Sequence, residues 1–211
     1  MHINWNENRA LLLGRMDQTP QLSHESRGVC YYTFPMVVPR LSGVEDRLNI
    51  MAPAPLLEGI PQQPGSLLQA AGEVRSFNNR SGVGSRLVIS FFAKSLAPAA
   101  GPPANELVLS GALCKPPTLR RTPLGREICD LMLAVNRRYG RADYLPCIAW
   151  GSLAVKCGEL PVGQAIRLEG RLQSRTYTKL SEQGPQSRTA YEISIMQLEL
   201  LPAPAPPSTV K

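Results

Sequence analysis

The strongest constraint in this chain is that it repeats itself. At an offset of 97 residues, Asn8 matches Asn105, Gly14 matches Gly111, Pro20 matches Pro117 and Leu22 matches Leu119. The same offset pairs Val38 with Val135, Arg40 with Arg137, Asp46 with Asp143 and Leu48 with Leu145. After a one-residue insertion, Gly65 matches Gly163 and Gly72 matches Gly170 at an offset of 98. A shared offset over so long a stretch indicates a tandem duplication, so the fold must be one that half the chain can complete. The Pro/Ala/Gly stretch 95–104 reads as a linker and the Pro-rich stretch 202–211 as a disordered tail. The division expected is therefore 1–94, linker 95–104, 105–201 and tail 202–211.

Each half reads as short strands. In the second, ELVLSGALC, EICDLMLAVNRR, DYLPCIAW, QAIRLEGRLQSRTY and TAYEISIMQLEL are apolar at strand-like spacing, with a short helical GSLAVKCGEL after the third. The first half follows the same order: RALLLGRM, VCYYTFPMVVPR, DRLNIMA, SLLQAAGEVRSF and SRLVISFF. The expected fold is all-β, two tandem five-stranded OB-fold barrels, each with one short helix between strands 3 and 4. Gly170 in mid-strand suits a barrel bend.

Composition narrows the function. No run of about 18 apolar residues occurs, so no membrane span is expected. MHINWNENRA lacks a basic-then-apolar signal pattern. The five cysteines, Cys30, Cys114, Cys129, Cys147 and Cys157, contain no CxxC pair, and the two histidines, His2 and His24, both lie near the start. Neither a metal site nor a Ser-His-Asp triad is expected. Gly82–Ser85 (GVGS) lacks the lysine of a phosphate-binding loop, and Glu45 and Asp46 would point to opposite faces of a strand. No enzyme and no cofactor are expected, and the chain reads as cytoplasmic. A net charge of +7 favours a polyanionic partner.

The second half closely resembles the bacterial single-stranded DNA-binding proteins. The resemblance rests on LAVNRRY, DYLPCIAWG and LEGRLQSRTY and runs nearly end to end from Asn105. It implies sequence-independent binding and protection of single-stranded DNA in replication, recombination or repair. In that family four aromatic positions stack on bases, and here they are Tyr139, Tyr144, Trp150 and Tyr177. Aromatic rings suit this because every base has a π-face. Tyr144 and Trp150 are an even number of residues apart, so both can face one side of a strand. Phosphate contacts are expected from Arg137, Arg138 and Arg141 around Tyr139, and from Arg171 and Arg175, which share strand parity with Tyr177. Lys115, Arg120, Arg121 and Arg126 sit in the first hairpin region.

The first half carries Ser42, Arg47, Pro53 and Asn79 at the four stacking positions. Its charge is also weaker, with 9 basic against 7 acidic residues over 1–101 and 14 against 9 over 102–211. It reads as a degenerate copy that kept the fold. Tyr31, Tyr32, Phe34, Phe77, Phe91 and Phe92 read as core or interface. Two-barrel members of this family dimerise to reach four barrels, so a homodimer is expected. The family's acidic C-terminal tip, which recruits partner proteins, is absent here, and recruitment through it is not expected. The competing expectation is a primosome-type or mobile-element OB-fold accessory protein that binds DNA weakly and partner proteins mainly.

Overall fold

The structure is a computed structural model and describes residues 7–79, 86–137, 140–181 and 184–202. The first half comprises β1 (Asn8–Met16), β2 (Gln21–Ser26), β3 (Val29–Pro39), β4 (Glu45–Pro53), β5 (Leu67–Asn78) and β6 (Leu87–Pro98). The second comprises β7 (Ala104–Leu113), β8 (Thr118–Arg121), β9 (Glu127–Asn136), β10 (Ala142–Trp150), α1 (Ser152–Gly158), β11 (Ala165–Ser181) and β12 (Gly184–Leu200).

In the first half the strands run β3-β4-β6-β5-β1, and β1 returns to pair with β3. In the second they run β7-β11-β12-β10-β9, and β7 returns to β9. Each is a closed ring of five strands, the OB-type barrel expected. The one parallel contact in each ring falls at equivalent places, β4 with β6 and β10 with β12. A sixth strand lies outside each ring: β2 on β3 and β8 on β9. Every residue of β2 and β8 is exposed, so neither carries the apolar alternation that marked the others. The short helix after the third ring strand is α-helical in the second half. In the first it is a four-residue 3-10 turn, Ala54–Leu57. It stops there because Glu58 is extended (φ −70°, ψ 132°) and Gly59 turns at φ 75°.

The described chain divides into two compact units, one of Arg9–Leu107 with Arg171–Glu192, the other of Val108–Gly170 with the described residues of 1–8 and 193–211. The distal part of the β11–β12 hairpin thus belongs with the first repeat. β6 runs through Pro98, into the stretch expected to be linker, because Ala97 and Pro98 still pair with Gln69 and Leu68 on β5. Residues 203–211 of the expected tail lie outside the described residues.

The core of the first unit is built by Leu12, Phe34, Leu48, Ile50, Leu68 and Phe91, and that of the second by Leu109, Leu113, Leu133, Leu145, Leu168 and Ile193, all buried. The repeated glycines now have a reason. A Cβ at Gly14 would collide with the Val37 carbonyl oxygen, and one at Gly111 with that of Ala134, 97 residues on. Gly72 and Gly170 abut the carbonyls of Phe92 and Ser194 in the same way. Gly65 (φ 91°) and Gly163 (φ 87°) turn in the left-handed region before β5 and β11. Their amides donate to the carbonyls of Met16 and Leu113 at 2.8 and 2.7 Å.

The matched arginines and aspartates are ion pairs. Arg40 donates to both Asp46 oxygens at 2.8 and 2.6 Å. Arg137 donates to both oxygens of Asp143. The carboxylates are sealed, Asp46 at 1% exposure and Asp143 at 0%. A bidentate guanidinium is the partner that makes such burial tolerable. Each pair braces the turn between two strands, where Arg40 N–H donates to the Val44 carbonyl and Arg137 N–H to that of Arg141.

Candidate nucleic-acid interface

β10 shows how the sequence builds a two-sided strand. Asp143, Leu145, Cys147 and Ala149 point inward and are buried. Tyr144 and Trp150, on the opposite parity, are 49% and 38% exposed. Across the ladder Tyr144 faces Ala134 and Trp150 faces Ile128, and Arg120 of β8 faces Ile128 from the other side. The outer surface of β8, β9 and β10 thus carries two exposed rings beside Ala134, Ile128 and the Arg120–Asp130 ion pair.

The cations around it fall into two groups. Arg126 lies over the Trp150 ring, 5.7 Å from its centroid. It precedes Ile128 by two residues, and Ile128 pairs with Trp150, so the diagonal of the β9–β10 register brings them together. Lys115 and Arg141 are exposed. Arg120, Arg121 and Arg137 are each engaged by a carboxylate: Arg120 with Asp130 at 2.6 Å, Arg121 with Glu127 at 2.5 Å, and Arg137 with Asp143. Arg138 and Tyr139 lie outside the described residues.

In the other unit, Tyr177 is 39% exposed on β11, and the Arg175 guanidinium sits 5.7 Å over its ring. Arg171 is half-buried, and its Nε is buried without a hydrogen-bond partner among the described residues. The first repeat presents Arg47 where the second has Tyr144. Arg47 is exposed, its guanidinium pairs with Asp17, and it lines a cleft of about 250 Å3 with Gln21, Thr33, Asn49 and Tyr191. Ser42 is exposed, and Pro53 and Asn79 are half-buried.

Sequence reasoning missed a ring cluster on the first repeat. His24 stacks on Tyr31 at 5.0 Å and 10°, and Tyr31 meets Phe92 at 5.9 Å. Phe34 and Phe91 are buried as expected of core, whereas Phe77 is exposed. The cluster joins residues from three separate strands, so only the register of β2, β3 and β6 reveals it. Among the described residues no group of histidine, cysteine or carboxylate side chains could hold a metal ion. No described helix is long and apolar enough to cross a membrane. All five cysteines are free thiols.

Residues 104–201 match the model of the single-strand binding protein family. That span begins with β7 and ends just beyond β12, so it covers the second repeat alone. The chain is 31% identical over 110 residues to single-stranded DNA-binding protein 2 of Chlorobaculum tepidum, covering 47% of this chain and 72% of that protein. The chain belongs to the single-strand binding protein family. It is 38% identical over 80 residues to single-stranded DNA-binding protein A of Bacillus subtilis, covering 35% of this chain and 46% of that one. With the Clostridium tetani single-stranded DNA-binding protein the figures are 36%, 35% and 55%. The chain spans about half the length of these latter relatives. The solved single-stranded DNA binding protein from Thermus aquaticus has the same two-repeat fold, with a TM-score of 0.74, 23% identity, and coverage of 96% of this chain and 98% of that one. Family membership therefore rests on the second repeat in sequence, while the fold likeness extends over both.

Proposed function

We propose that this protein binds single-stranded DNA without regard to base sequence, and that it acts by binding alone, coating exposed strands during replication, recombination or repair. Bases stack on Tyr144, Trp150 and Tyr177, with Tyr139 as the fourth ring. Phosphates are met by Lys115, Arg126, Arg141 and Arg175, and by Arg138 and Arg171. Arg120, Arg121 and Arg137 shape the surface through their carboxylates, and a phosphate reaches them only in competition with Asp130, Glu127 and Asp143. The observation that carries this reading is the exposure of Tyr144 and Trp150 on one face of β10, on an otherwise buried strand. An exposed ring beside a guanidinium is a sequence-tolerant stacking platform, and each such ring contributes about 1–3 kcal/mol. The family match spans the repeat that bears these rings and favours this reading over the accessory-protein alternative.

Two copies associate in this proposal, giving four barrels per homodimer. The cluster of exposed His24 with half-buried Tyr31 and Phe92 supports it, since outward aromatics on a sheet face are characteristic of protein interfaces. The free thiols and basic charge suit the cytoplasm and the nucleoid. Titration with labelled oligo-dT and with duplex of equal length tests the function. Single strands should bind tighter, with a log–log salt slope of about −0.7 per phosphate contact. A flat salt response or a preference for duplex contradicts the proposal.

A further inference from the structure

We propose that Asp46 is a positioning residue: through Ser174 it fixes the segment of β11 that carries Arg175 and Tyr177. The inference rests on the reading that Tyr177 stacks on DNA. Both residues lie in the same compact unit. The Ser174 N–H donates to Asp46 Oδ1 at 2.7 Å. Ser174 Oγ accepts the Arg47 backbone N–H at 2.9 Å. Its carbonyl lies 3.4 Å from Arg40 Nη2, the same guanidinium that holds Asp46. Donor, hydroxyl and carbonyl of one residue are thus all taken by the turn and start of β4.

The position of Ser174 along β11 gives this its consequence. Leu172 and Gln173 before it are buried, and Arg175, Thr176, Tyr177 and Thr178 after it are all exposed. Ser174 is therefore the last anchored residue before the exposed stretch. The return strand is tied at the same level, where Gln173 Nε2 donates to Glu192 Oε1 at 2.8 Å and Tyr191 lines the cleft beside Arg47. A buried carboxylate locked by a bidentate arginine is a rigid, charged acceptor, and a hydrogen bond to it is stronger than one to a neutral group. Asp46 thus serves two groups at once, the Arg40 guanidinium that braces its turn and the Ser174 N–H on β11.

The test is a double-mutant cycle on the full chain, with labelled oligo-dT as the probe and thermal unfolding as the check of folding. Asp46→Asn leaves an oxygen but removes the charge, and should weaken binding about tenfold, as expected for a charged hydrogen bond. In an Arg175→Ala/Tyr177→Ala background the same change should weaken binding by less than about twofold, because the groups that Asp46 positions are gone. If Asp46→Asn does not fold, Asp46→Glu, which keeps the charge for Arg40 but moves the acceptor away from the Ser174 N–H, carries the same cycle with a loss of about threefold. Losses that multiply in full, or no loss in a folded single variant, overturn the inference. Failure of the unaltered chain to bind oligo-dT at all would instead overturn the function proposed above.

Discussion

Trp150 and Cys157 are only seven residues apart, yet their surroundings send them to opposite uses. Trp150 ends β10 with its ring outward under Arg126, whereas Cys157 is fully buried on the inner side of α1. Burial, together with the neighbouring Cys129, raises the Cys157 thiol from its ordinary 9.0 to about 11. Burial raises Cys114, Cys129 and Tyr191 in the same direction. A raised acid holds its proton longer in the folded state than in the unfolded one. Its contribution to stability is complete below about pH 9 and is lost as pH climbs towards about 11. Unfolding temperatures measured from pH 8 upward should fall through that window, and Cys157→Ala should flatten the fall. An equally steep decline in the variant would refute the assignment. The outward rings were legible in the sequence because parity along one strand fixes facing. The partners of Arg120, Arg121 and Arg137 were not, because Asp130, Glu127 and Asp143 reach them only through strand register and turn geometry.

At the scale of elements, ten of the strands announced themselves through apolar alternation, and the repeat located their counterparts. β2 and β8 stayed hidden because a wholly exposed strand has no buried face to pattern. The Arg40–Asp46 and Arg137–Asp143 matches were visible as repeated letters, but nothing in the spacing identified them as buried ion pairs. The boundary at 95–104 also differs, because ladder hydrogen bonds hold Ser95–Pro98 despite a loop-like composition. The glycines yield a test of the shared barrel geometry. A methyl at Gly170 would meet the Ser194 carbonyl between β11 and β12 with no side chain able to give way. Gly170→Ala should therefore cost at least about 1–3 kcal/mol, an overpacking penalty, read as a lower unfolding midpoint in urea. An unchanged midpoint would mean that the strands are farther apart than described.

For the whole molecule, the two repeats present different surfaces. The second repeat carries the exposed rings of β10 and the family match; the first keeps the fold, a cleft beside Arg47 in place of the Tyr144 ring, and a sheet-face cluster of His24, Tyr31 and Phe92. A two-fold pairing of chains is the simplest way to cover such a cluster. Light scattering at micromolar concentration should give twice the 23.0 kDa of one chain. Tyr31→Lys should shift that mass towards the monomer. A monomeric mass for the unaltered protein would exclude the dimer and leave the cluster without an interface role.

The central claim is that single-stranded DNA is read by the outward rings of the second repeat and not by the equivalent positions of the first. The most direct measurement is oligo-dT affinity, by anisotropy of a labelled strand, for Trp150→Ala and Arg47→Ala side by side. Trp150→Ala should lose about 1–3 kcal/mol of binding, the worth of one stacked base. Arg47→Ala should lose well under half of that, since its guanidinium is already paired with Asp17. Equal losses at the two positions, or no loss at Trp150, would contradict the account.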